Sequence, residues 1–84
     1  MGSYRLRIKK SATKEIERLP LVDKRRVIER IRALAQEPRP VGAKKLTGQD
    51  RYRVRQGNYP ILYEIVDGDL IVTVVREGHR RDVY

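Results

Sequence analysis

At 84 residues the chain has room for one domain around a small core, and residues 1–84 are read as that single unit. It carries 20 Lys+Arg against 11 Asp+Glu, a formal charge of +9, which suits polyanionic partners: RNA, DNA or an acidic protein. The absence of Cys excludes disulfides and thiolate chemistry, the absence of Trp and Phe excludes a base-stacking platform built from them, and no apolar run approaches a signal-peptide h-region or a membrane span.

The first alternating stretch, Tyr4 to Lys9, predicts a strand with Tyr4, Leu6 and Ile8 on one face and Arg5, Arg7 and Lys9 on the other. Ser11 has the chemistry of an N-cap for the helix that follows, whose apolar stripe is Ala12, Ile16 and Leu19. Pro20 ends it, because the residue before a proline avoids the α region. A second helix is predicted from about Leu21 to Gln36, with Val27, Ile28, Ile31, Leu34 and Ala35 as its stripe and charged residues, Arg30 among them, outside it. The Leu-Pro-Leu link makes the two an antiparallel hairpin that must lie on a sheet to be stable.

Pro38, Pro40 and Gly42 predict a stiff loop, with Leu46 expected to pin it to the core. An arginine strand follows, Arg51-Tyr52-Arg53-Val54-Arg55, then the hairpin chemistry Gln56-Gly57-Asn58 and a strand over 59–66. Asp67-Gly68-Asp69 is the next turn. Leu70 to Val75, apolar nearly throughout, reads as a central strand buried on both faces. The predicted fold is therefore α+β in the order β-α-α-β-β-β, a two-helix hairpin on a small, largely antiparallel four-stranded sheet.

The arginine strand carries the strongest functional signal. At the period of a strand, Arg51, Arg53 and Arg55 share one face and Tyr52 and Val54 the other. Such a comb of guanidiniums is either a set of phosphate forks or the solvated outer face of a half-buried sheet. The usual catalytic sets are missing: one histidine and no cysteine exclude Cys–His nucleophiles and most zinc sites, no glycine-rich phosphate loop precedes a helix, and no carboxylate pair suits acid–base work. Arginine, one histidine and tyrosine suit RNA phosphodiester cleavage without metal or cofactor, because the 2′-hydroxyl is already the nucleophile and the protein need only hold the backbone, neutralise charge and move protons.

Lys45-Leu46-Thr47-Gly48, Tyr52-Arg53-Val54-Arg55, Gly57-Asn58-Tyr59, Leu62-Tyr63-Glu64-Ile65 and the ending Gly78-His79-Arg80-Arg81-Asp82-Val83-Tyr84 together resemble the RelE/ParE-type toxins of type II toxin–antitoxin modules, and the element order agrees. The resemblance implies a RelE-like mRNA interferase of the cytoplasm. Such a toxin cuts mRNA in the ribosomal A site without metal, is neutralised by a cognate antitoxin, meets operator DNA only through the antitoxin complex, and has no membrane partner. It also implies roles: Arg53 and Arg55 at the scissile phosphate, Arg80 as a transition-state or leaving-group contact, Tyr84 at the substrate, and His79 in proton transfer. Arg51, Lys44, Lys45 and Arg81 are the further candidate RNA contacts.

Two departures narrow this reading. Pro60 stands where RelE-type members often carry a phosphate-clamping arginine, and a proline there suggests a strand beginning or an edge. Arg53 and Arg55 stand where well-studied relatives carry lysines. Arginine, with a pKa above about 12, clamps charge but does not move protons, which leaves that task to His79 or Tyr84. Two other readings stay open: a ParE-type toxin that inhibits DNA gyrase and has no nuclease activity, and a degenerate member that only binds its antitoxin.

Overall fold

The computed structural model describes residues 3–46, 48 and 51–75. The elements are β1 (Arg5–Ile8), α1 (Lys10–Glu17), α2 (Leu21–Gln36), β2 (Lys44–Lys45), β3 (Arg51–Gln56), β4 (Tyr59–Val66) and β5 (Ile71–Val75). The strands make one sheet in the order β1-β5-β4-β3-β2. β1 lies parallel to β5, and the other neighbouring pairs are antiparallel. The α+β class and the helical hairpin agree with the expectation, but among the described residues the sheet has five strands, not four. Lys44 and Lys45, read from sequence as loop, pair with Arg53 and Tyr52. Two residues are too few for a period-two pattern to show.

The helices cover one face of the sheet. Ala12 and Ile16 of α1 and Val27, Ile31 and Leu34 of α2 pack with Val54, Ile61, Tyr63, Val72 and Val74 in one buried cluster. These are the apolar stripes at spacings of three and four, and the sheet residues are every second one along their strands. Pro20 is the extended N-cap of α2, with φ −57°, and its carbonyl accepts from Lys24 N–H at 2.8 Å. Ser11 does not cap α1: the helix begins one residue earlier, at Lys10, with Lys9 in the cap position and no side-chain bond there.

Gly57 supplies the positive φ, 61°, that the two-residue Gly57-Asn58 hairpin requires. The turn after β4 runs through Leu70, whose φ of 54° is left-handed, so β5 begins at Ile71 and not at Leu70. β5 is interior, but the middle strand is β4. Pro60 is the second residue of β4, a strand beginning as anticipated but not an edge. Leu46 is half-buried and does not join the core cluster; its N–H donates to Arg51 O at 2.8 Å. The loop after α2 is pinned instead by Pro38, which is buried and whose carbonyl accepts from Tyr63 Oη at 2.8 Å.

Candidate nucleic-acid interface

The ladder registers decide what each basic side chain meets. Tyr52, Val54, Ile61 and Tyr63 face the helices, so by strand alternation Arg51, Arg53 and Arg55 face away from them. On that second face Arg51 stands opposite Glu64, Arg53 opposite Leu62 and Arg55 opposite Pro60. The row continues from Leu62 to Val75, and both are only 5% exposed, which gives Arg53 an apolar neighbour on its own face. Lys44 of β2 is the partner of Arg53 on the other side.

Cations fall into two groups. Arg51 is already engaged, its Nε donating to Glu64 Oε2 at 3.0 Å. Arg39 is more heavily engaged. Its Nη2 donates to Asp67 Oδ2 at 2.9 Å, its Nη1 to Asp67 Oδ1 at 3.2 Å and its Nε to Tyr52 Oη at 3.2 Å. Tyr4 Oη also donates to Asp67 Oδ1, at 2.8 Å. The hydrogen bonds from Arg39 and then Tyr4 hold the Asp67 carboxyl below its ordinary value, and the bond to Asp67 raises the Tyr4 phenol. This cluster ties the loop after α2 to the β4–β5 turn and offers no open fork to a ligand.

The second group surrounds a cavity of about 320 Å³ lined by Arg30, Gly42, Lys44, Arg53, Val54 and Arg55. Among the described residues no carboxylate lines it. Four cationic residues, from α2, β2 and β3, thus border one cavity at the sheet edge, with no acid among the described residues that line it. An arrangement of that kind repels itself and is relieved by an anion, most effectively one with several oxygens for the forks. A cavity of about 350 Å³ between the tip of the β3–β4 hairpin and the start of α2 is of mixed character, since Asp23 and Arg26 both line it.

Of the residues singled out in sequence, the structure brings together Arg53, Arg55 and Lys44. Lys45 is exposed opposite Tyr52 and does not line the cavity; Arg51 is tied to Glu64. His79, Arg80, Arg81 and Tyr84 lie outside the described residues. Arg30 is the residue that sequence reading missed. It follows Val27 by three and precedes Leu34 by four, so it borders the buried stripe, a position where a long basic side chain can run its stem along the core rim. Its Nε is buried with no hydrogen-bond partner. Among the described residues no group of three or more His, Asp or Glu side chains could hold a metal ion, and no helix is long and apolar enough to cross a membrane.

Residues 6–84 match the family described as the ParE toxin of type II toxin–antitoxin systems, parDE. Among solved structures, the chain is similar to the RelBE2 toxin–antitoxin complex of Mycobacterium tuberculosis, with 29% identity, 95% of this chain and 94% of that chain covered, and a TM-score of 0.80. It is also similar to the archaeal RelE–RelB complex of Pyrococcus horikoshii, with 30% identity over 88% of this chain and 91% of that one and a TM-score of 0.76. The isolated E. coli RelE toxin shares the fold at 23% identity, with a TM-score of 0.75 over 98% of this chain and 92% of that chain. Among functionally curated proteins none matches the chain.

Proposed function

The chain belongs to the ParE toxin family of type II toxin–antitoxin systems, and from that footing we propose that it is a RelE-like endoribonuclease that cuts mRNA in the ribosomal A site. The observation that carries this reading is that Arg30, Lys44, Arg53 and Arg55 line one cavity with no acid among its described lining residues. Such a site grips a phosphate backbone and neutralises the charge that builds on phosphorus.

In the proposed reaction the RNA 2′-oxygen attacks the adjacent phosphorus and the bond from phosphorus to the 5′-oxygen breaks. The products are a 2′,3′-cyclic phosphate and a 5′-hydroxyl. One proton leaves the 2′-hydroxyl and one reaches the departing 5′-oxygen. Arg53 and Arg55, permanently charged, hold the scissile phosphate and move neither proton. His79 and Tyr84 take the proton-moving roles, and Arg80 stabilises the leaving oxygen. Lys44, Lys45 and Arg81 contact the flanking RNA, while Arg51 is held by Glu64. Metal has no task in this scheme, because the guanidiniums supply the charge. The complexes of RelBE2 and of archaeal RelE–RelB support a cognate antitoxin as partner. In the proposed scheme operator DNA is reached only through the antitoxin complex, and the ribosome, in the cytoplasm, is the site of action.

A second reading, inhibition of DNA gyrase without nuclease activity, is favoured by two observations: the matching family is that of ParE, and Pro60 leaves Arg55 without a basic neighbour across the strand pair. Purified toxin on translating ribosomes separates them. Wild type should cleave A-site mRNA and Arg80→Ala should be slowed by at least about 100-fold, as for loss of a transition-state charge contact. Intact mRNA together with gyrase-linked DNA breaks would select the second reading.

A further inference from the structure

We propose that Arg30 belongs to a phosphate subsite at the open end of the β2–β3 ladder, on the helix side of the sheet edge, and that this subsite takes the phosphate next to the one cut. The ligand's identity as RNA rests on the function proposed above; the pocket itself does not.

β2 ends at Lys44, opposite Arg53. Before it the chain peels away: Ala43 N–H donates to Pro40 O at 3.0 Å and Gly42 has a φ of 98°. The ladder therefore stops short of Val54, Arg55 and Gln56. Leu46 N–H donates to Arg51 O, so Arg51 turns its main-chain carbonyl towards β2. Main-chain groups alternate sides along an antiparallel strand, which aims those of Arg55 the same way, past the end of β2. The edge at Arg55 thus offers a backbone N–H beside the cavity, and Gly42 across from it carries no Cβ to fill the space.

Arg30 reaches this space from α2, a different layer from β3. Its Nε is buried and lacks a partner, although a buried donor is nearly always satisfied. Among the described residues no carboxylate lines the cavity to satisfy it, and the other charged residues that line it, Lys44, Arg53 and Arg55, are cations. What the cavity lacks is an acceptor with several oxygens. Its volume, about 320 Å³, is at the lower end of the range that ligand sites occupy. Arg53 and Arg55 also line this cavity, so a backbone held by them at the sheet edge can set its next phosphate against Arg30, Lys44 and the Arg55 N–H.

The test uses the full chain and two probes. Inorganic phosphate is titrated and followed by NMR on the Arg30 Nε–H and the Arg55 amide; saturable shifts at both are expected. A short single-stranded 2′-O-methyl RNA, which cannot be cleaved, is then bound at increasing KCl. Arg30→Gln should weaken it roughly tenfold at low salt, as for loss of a charge-assisted hydrogen bond. The same change should flatten the slope of log K against log salt by about 0.7, one single-strand phosphate contact. Arg30→Lys should keep the slope but recover only part of the affinity, and Arg32→Gln, on the exposed face of the same helix, should change neither. Wild-type affinity and slope in Arg30→Gln, with both lost in Arg53→Gln, would overturn the subsite and leave the RNA reading standing. Phosphate shifts at Arg30 without RNA binding would overturn the RNA reading and leave the subsite standing. If Arg30→Gln fails to fold, the wild-type phosphate titration decides, and no shift at Arg30 refutes the proposal.

Discussion

Tyr63→Phe removes one oxygen and tests how the core holds the loop that delivers Lys44. Tyr63 is 0% exposed in the middle strand, stacks on Tyr52 with ring centroids 5.8 Å apart, and its Oη donates to Pro38 O at 2.8 Å. The change costs the hydrogen bond and leaves a carbonyl of a buried residue unpaired, about 1–2 kcal/mol at neutral pH. For 84 residues the unfolding entropy is about 0.18 kcal/mol/K, so the melting temperature should fall by about 6–11 °C. In alkali the order should reverse. Burial, with a smaller contribution from Tyr52, pushes the phenol up to about 12 from 10.0. An acid whose folded pKa is raised contributes stability that is intact below the unfolded value and is lost as pH climbs towards the folded one. Between pH 10 and 12 wild type should lose about 2 kcal/mol that the phenylalanine variant, with nothing to ionise, keeps. The two stability curves should therefore cross near about pH 11. Urea denaturation of both proteins at pH 7, 9, 11 and 12 measures this. A variant as stable as wild type at pH 7 would refute the role of the Pro38 bond; an unchanged gap at pH 12 would refute the burial of the phenol.

Asp67→Asn should lower the urea midpoint at neutral pH, with the deficit closing as pH falls through the depressed carboxyl value below 3.8, where wild type is protonated too; a deficit that persists in acid would mean Arg39 and Tyr4 do not set it. Glu64→Gln should free the Arg51 fork and steepen the salt dependence of RNA binding by about 0.7, read by fluorescence anisotropy at several KCl concentrations. Pro60→Arg should place a guanidinium beside Arg55, on the face away from the helices, and raise RNA affinity roughly tenfold; a loss of affinity in a folded variant would place the RNA elsewhere.

The sequence displayed the elements whose patterns are long. Sixteen residues of α2 repeat their apolar stripe enough times to be read to the residue, and β4 appeared with its bounds intact between two turns. Where an element depends on its neighbours, local pattern fell short. β2 is a strand only because β3 lies beside it, and Leu70, apolar and next to a strand, is bent into a left-handed turn that lets its carbonyl accept from Arg5 N–H across the sheet. The cap of α1 fell to Lys9 because the chain leaves β1 directly into the helix, one residue before Ser11 can act.

The candidate site shows the same division with more consequence. Alternation alone put Arg51, Arg53 and Arg55 on one face, but it could not tell an engaged guanidinium from an available one. That distinction comes from register: one pair along the ladder, Arg51 meets the acid Glu64, while Arg53 meets Leu62 and Lys44. Nor can a strand pattern enlist a helix residue. Arg30 enters because the α2 stripe must lie on β3 to bury Val27, Ile31 and Leu34, and that packing brings the stripe's basic border to the open ladder end. The comb thus changes from three equal teeth to two, with a third cation from β2 and a fourth from α2. On the proposed reading such a site takes phosphates arriving from two directions, along the arginine strand and over the sheet edge. A bent single strand meets that demand more readily than a straight duplex, whose phosphates follow one fixed path.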